Sequence, residues 1–212
     1  MVTLLLVANL FAELPPSSSI DCQPLPAQLR VRLTLSAMVS PSSATAIRQT
    51  VEQVWTPVGL RFEWVSEPAA DFWIAVIHGM TNVTEHSPLG MIQFDAGKPQ
   101  SMARIFLEAS RDWAQRYQER RLHTTLGPLL RATVEDPEVV GRVMGYAAAH
   151  EHGHFMLRSA SHASTGIMRA YRNSTVPFDP GSWRLDGKNR ARLLQRMSED
   201  CRRRASAQDD TR

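Results

Sequence analysis

The order of strand-like and helix-like segments predicts an α+β fold: a mixed antiparallel and parallel β-sheet with helices packed on it, and a smaller helical part at the C-terminal end. Three observations carry that expectation. An alternating run over 29–38 precedes a helix-spaced apolar set. Four further β-rich runs fall between Leu60 and Leu107. Beyond Ser110 the composition turns helical and includes a strongly capped helix that starts at Asp136.

The first strand, LRVRLTLSAM over Leu29 to Met38, alternates apolar and polar residues as a half-buried strand does. Pro41-Ser42-Ser43 supplies a turn and a helix cap. Ala46, Ile47, Val51, Val54 and Trp55 then recur at helical spacing up to Pro57 and Gly59. The runs Leu60 to Val65, Phe72 to Ile77, Leu89 to Phe94 and Ala103 to Leu107 complete the sheet. Asp112 to Arg121 and Thr124 to Thr133 read as two helical pieces. Asp136-Pro137-Glu138 is a helix start: a capping Asp, proline in the first turn and an acid beside it. No proline interrupts the chain from there to about Leu157, and Val139, Val140, Val143, Ala147 and Ala148 offer a face to bury. Pro177 to Gly187 is rich in turn formers, and Leu193, Leu194 and Met197 mark a last helix.

The 212 residues suffice for one well-packed domain, placed at 24–205, with a polar tail at 206–212. The apolar share of 43% and charged share of 21% are those of an ordinary globular chain. The net charge is +3, and the dense basic run Arg202-Arg203-Arg204 has no interleaved aromatics, so no nucleic-acid partner is expected. Residues 1–23 form a candidate leader. MVTLLLVANLFA is too short to span a bilayer, so no integral membrane span is expected. It resembles the apolar core of a secretory signal with a cut after Ala12, but lacks a basic start. Secretion or periplasmic export, a buried strand, a misassigned start and a cytoplasmic location stay open. Cys22 and Cys201 would pair only in an oxidising compartment.

The chemistry concentrates in one place. Four of the seven histidines lie between His150 and His162. His150 and His154, four apart on a helix, project from one face and can occupy two corners of a zinc tetrahedron. Glu151, next to His150, is placed to approach water at the metal rather than the metal itself; this is the HExxH pattern, in which zinc acidifies water and the glutamate takes the proton. The plainer reading is a helix with partly buried histidines. Two histidines do not complete a catalytic zinc site. His162, past the polar stretch Arg158-Ser159-Ala160-Ser161, is the candidate third ligand; a carboxylate from Asp179, Asp186 or Glu199 is the alternative. His152 points to another side of the helix, in a supporting or solvent-facing position. His78, His86 and His123 show no partner pattern.

His150, Glu151, His154, His162 and then Gly166-Ile167-Met168 resemble the metzincin branch of the zincin metallopeptidases. The resemblance implies three histidines on zinc, Glu151 as general base and Met168 packed beneath the metal. It implies a zincin-like sheet with an active-site helix, and an edge strand, taken as Ala103 to Leu107, that pairs with an extended peptide. Tyr171 is the candidate helper at the oxyanion, with plain packing as the alternative. The chain departs from the family in two respects. Seven residues separate His154 from His162 where the family has five, and Leu157 stands where it has glycine, so the turn after the helix must be built differently. The expectation is a zinc-dependent metallopeptidase acting on a peptide or protein substrate. Its rivals are a non-catalytic metal-binding or interaction protein on the same scaffold, a hydrolase of a non-peptide amide or ester, and a helical interaction domain with coincidental histidines.

Overall fold

The computed structural model describes residues 27–79, 82–84, 86–126, 135–170 and 183–209. The candidate leader, most of the Thr124 to Thr133 piece, Tyr171 and Asp179 lie outside them.

The chain enters the sheet with β1 (Ala27–Thr34). Helix α1 (Pro41–Trp55) follows, with Ser40 as its cap: the Ser40 hydroxyl accepts from the Ser43 backbone N–H, and Pro41 takes the first turn. The cap thus lies just before the Pro41-Ser42-Ser43 stretch rather than within it. After a 3-10 turn (Thr56–Val58), Gly59 adopts φ 92°, which glycine reaches without a Cβ clash, and releases the chain into β2 (Leu60–Val65). Strand β2 lies parallel to β1, so β1-α1-β2 is a crossover unit.

Strand β3 (Phe72–Ile77) pairs parallel with β1 on its other side. Strands β4 (Gly90–Asp95) and β5 (Lys98–Phe106) form a hairpin whose two central residues, Ala96 and Gly97, both have positive φ, as the natural twist of a tight hairpin requires. The sheet order is β2-β1-β3-β5-β4, parallel except for β4 against β5. This corrects one expectation. The run Ala103 to Leu107 is not an edge, because β5 is paired on both sides; the free edge belongs to β4.

Helix α2 (Leu107–Leu126) grows directly from β5 and is continuous, so Thr124 to Leu126 belong to it rather than to a second piece. Helix α3 (Pro137–Leu157) starts as expected: the Asp136 carboxylate accepts from the backbone N–H groups of Glu138 and Val139. It is buried along nearly its whole length because the sheet and α1 both pack against it. The approach to α1 is close. A Cβ on Gly141 would lie 2.6 Å from the Ser43 carbonyl oxygen, and one on Gly145 2.7 Å from Thr50 Cβ. Trp55, wholly buried, donates its indole N–H to the Ala149 carbonyl at 3.2 Å and locks the two helices in register.

Helix α4 (Gly187–Asp209) closes the chain, capped by Asp186, which accepts from the backbone of Lys188 and Asn189. Cys201 on α4 is disulfide-bonded. No helix among the described residues is long and apolar enough to cross a membrane. The architecture is therefore the α+β arrangement expected: a mixed sheet, helices packed on it, and a central helix that carries the histidines.

Candidate metal centre

The last two turns of α3 place His150, Glu151 and His154 at the side of the sheet where β4 forms the edge, and all three are buried. The chain must then reverse to bring His162 back. Arg158 does this by leaving the helix in the left-handed conformation, φ 44° and ψ 49°. Its N–H and that of Ser159 close on the Phe155 and His154 carbonyls, the hydrogen bonding of a helix C-terminus. An arginine thus does at 158 what a glycine would do at lower cost. The return segment is pinned by the bridge of Ala163 to Arg169, where Ala163 N–H donates to the Met168 carbonyl at 2.8 Å.

His150, His154 and His162 each offer a ring nitrogen, and these atoms all lie within 4.8 Å of one another. Their protonation follows from their partners. His150 Nδ1 sits 2.6 Å from the Ile167 carbonyl and His154 Nδ1 2.6 Å from the Ser159 carbonyl. A carbonyl only accepts, so each Nδ1 carries the proton and donates. Each Nε2 is left with a lone pair. Burial keeps both rings neutral: it lowers His150 to about 4 against the pull of the Ile167 carbonyl, helped by His154 and His162. It lowers His154 as well, against the Ser159 carbonyl and helped by His162.

The two Nε2 atoms lie 3.1 Å apart. With both protons on Nδ1, no hydrogen stands between them and two lone pairs face each other. A cation bound to both resolves that repulsion. Two nitrogens at about 2.0–2.1 Å from a tetrahedral ion would be about 3.3 Å apart, close to the separation present. Carbonyls that fix the tautomer and aim of ligating imidazoles are the usual outer partners of such a site. The residues fit a divalent metal with three nitrogen ligands.

The two carboxylate alternatives among the described residues are occupied elsewhere. Asp186 caps α4 and also accepts from the Asn189 side chain at 2.6 Å, while Glu199 accepts from Gln195 on the surface of α4. Asp179 and Tyr171 fall outside the described residues.

Glu151 faces a cleft of about 620 Å³ together with His150, His154 and His162. Burial raises its carboxyl to about 7, opposed by a hydrogen bond from the Ile92 backbone N–H on β4. In the β4–β5 ladder Ile92 lies opposite Ala103, next to a register shift between Ile92 and Phe94.

His152 departs from its expected position. Its ring is 1% exposed, with Trp55, Phe62, Phe72 and Phe155 around it at centroid distances of 5.0–6.2 Å. It is a core residue with neither ring nitrogen hydrogen-bonded, and burial lowers it to about 3. Met168 is wholly buried against Gly153. His78 pairs with Glu108 at the surface, and His86 lies in the loop before β4.

Sequence reasoning missed Gly153, Ile92 and the two carbonyls of Ser159 and Ile167. Gly153 had a signal, a glycine between two candidate ligands in a helix, where glycine is otherwise unfavourable. Backbone groups carry none, since any residue supplies them.

No protein-family model matches the chain. No curated protein matches it either. Among solved structures, the chain is similar to the crystal structure of archaemetzincin from Methanopyrus kandleri, with 14% identity and a TM-score of 0.49 over 81% of this chain and 96% of that one.

Proposed function

We propose that this protein is a zinc-dependent peptidase, with His150, His154 and His162 as the metal ligands and Glu151 as the general base. The observation that supports it is the pair of carbonyl-oriented, neutral imidazoles whose lone pairs converge beside His162, with a carboxyl group in the same cleft. Zinc bound there supplies Lewis acidity, lowering the pKa of water and polarising a carbonyl.

The chain's own residues do the rest. Glu151, raised by burial to about 7, is poised to accept a proton from water and deliver it to the departing amine near neutral pH. Its link to Ile92 N–H keeps the carboxylate at the edge of the sheet. Strand β4 offers its unpaired side to an extended peptide, the role the sequence reading gave to Ala103–Leu107. Gly90 keeps that edge close to the base: a Cβ there would lie 3.3 Å from Glu151 Cγ.

Elemental analysis tests the metal set, and a peptide library tests the chemistry. About one zinc per chain should be found, and His150→Ala and His162→Ala should each lose it. Glu151→Gln should keep the zinc while turnover falls by about 10²–10⁴-fold. Full peptide hydrolysis by Glu151→Gln would sink the mechanism. Zinc retained by His162→Ala would move the third ligand elsewhere.

A further inference from the structure

The cleft is lined by α2 as well as by β4 and α3. Trp113, Arg116 and Arg120 recur at helical spacing, so one face of α2 turns toward the same space as the histidines. Among the described residues lining the cleft, Glu151 is the only acidic one. A peptide backbone is neutral and offers two guanidinium groups nothing that a polar side chain would not satisfy equally well. What a guanidinium matches is a carboxylate, through parallel N–H donors in a fixed plane.

Arg116 already meets one carboxylate on its own helix. Its Nη2 lies 2.6 Å from the Asp112 carboxylate one turn earlier on α2. That pair orients the group without exhausting it, since a guanidinium carries five N–H donors. Arg116 is half-buried and Arg120 exposed, so the two span the wall from its depth to its rim. Trp113, also half-buried, supplies an apolar plate beside them and stacks on Tyr117 at 6.0 Å.

We infer that the cleft selects peptides carrying a carboxylate that Arg116 and Arg120 hold on the α2 wall. This rests on the peptidase reading and narrows its substrate class to acidic peptides. The carboxylate has two possible sources: an Asp or Glu side chain near the scissile bond, or the C-terminus of a short peptide.

The test is equilibrium binding to the zinc-loaded Glu151→Gln protein, so that no peptide is consumed. Labelled peptides are compared in pairs that differ only by Asp against Asn at one position, or by a free against an amidated C-terminus. One carboxylate member should bind about tenfold or more tightly than its amide, a hydrogen bond to charge being the difference. The pair that shows the preference identifies the source. Adding Arg116→Gln and Arg120→Gln should bring the members of that pair within about twofold while leaving the amide's affinity unchanged, which also reports an intact fold. Arg116→Lys with Arg120→Lys should retain part of the preference. Equal affinity of carboxylate and amide members, binding of neither, or a preference that survives both glutamines overturns the inference. Turnover of the same peptides by wild-type protein is read separately: carboxylate-selective binding without cleavage sinks the peptidase reading and leaves the arginine site. Cleavage without selectivity does the reverse.

Discussion

Gly153 lies directly against the sulfur of Met168. A Cβ at 153 would overlap Met168 Sδ and stand 3.2 Å from its Cε and 3.3 Å from Trp55 Cζ2. The residue between His152 and His154 must therefore be the smallest one, and a wholly buried methionine fills the space. Gly153→Ala should cost about 1–3 kcal/mol by overpacking and weaken zinc binding, because the added methyl displaces the turn that carries His154. Met168→Ala opens room for it. In a urea-denaturation cycle the pair should couple by about 0.5–3 kcal/mol, and additive effects would show that the contact is not the constraint.

His152 is a polar residue set in the core. Both ring nitrogens are buried among aromatic rings without a hydrogen bond. His152→Leu, similar in volume and able to pack there, should raise stability by about 1–3 kcal/mol, the penalty of an unsatisfied buried polar group. Unchanged or lower stability, read from urea midpoints, would mean that the ring has a partner in solution.

Zinc-free protein should weaken as the solution is acidified. His152 titrates at about 3 and His150 at about 4 in the fold, with His154 also lowered, against an ordinary value of 6.5. Below 6.5 the unfolded chain binds more protons than the folded one, so stability falls with pH until the folded values are reached. Glu151, raised from 4.5 to about 7, acts in the opposite sense as pH falls from 7 to 4.5, but it is one group against three. Denaturation midpoints measured across this range should fall toward acid, and less steeply in His152→Leu.

Removing the metal should be visible as lost stability. An ion that binds only the folded chain stabilises it by about 2.7 kcal/mol at a hundred times its Kd. Chelation should therefore lower the melting temperature and one equivalent of zinc restore it. His162→Ala, at an exposed position, should leave the zinc-free melting temperature nearly unchanged and abolish the response to zinc.

Arg158 supplies a stabilising substitution. A non-glycine residue in the left-handed region costs about 1–2 kcal/mol, partly offset in the glycine variant by a freer unfolded chain. Arg158→Gly should gain up to about 1 kcal/mol with zinc content unaltered. A loss of stability would reveal a favourable contact of the exposed side chain.

Much of this was legible because local chemistry dictated it. Asp136-Pro137 fixes the start of α3 whatever lies around it, and β2 and β3 begin and end where their apolar runs do. The histidine spacing showed which rings share a face, and the stretch Gly166-Ile167-Met168 supplies the carbonyl on His150 and a methionine buried against Gly153. Strand order was not legible. The runs that became β4 and β5 look alike, and only pairing decides which is the edge. Nor was the surrounding of His152, since a histidine has no sequence signature for an aromatic cage built from α1, β2 and β3. The α2 arginines stood out only as part of a polar helical piece, because the cleft they line is completed by β4 and the end of α3.

Ile167 uses both of its backbone groups at once. Its carbonyl receives the His150 Nδ1 proton, and its N–H donates to the Arg184 carbonyl at 3.0 Å, two residues before the cap of α4. The orientation of His150 is thereby tethered, through one peptide unit, to the segment that launches the last helix. Strain applied at the C-terminal helix, by a bound partner or a cut in the segment before it, is transmitted to an imidazole in the cleft. A helix that contributes no side chain to the cleft wall is, in mechanical terms, a lever on the site.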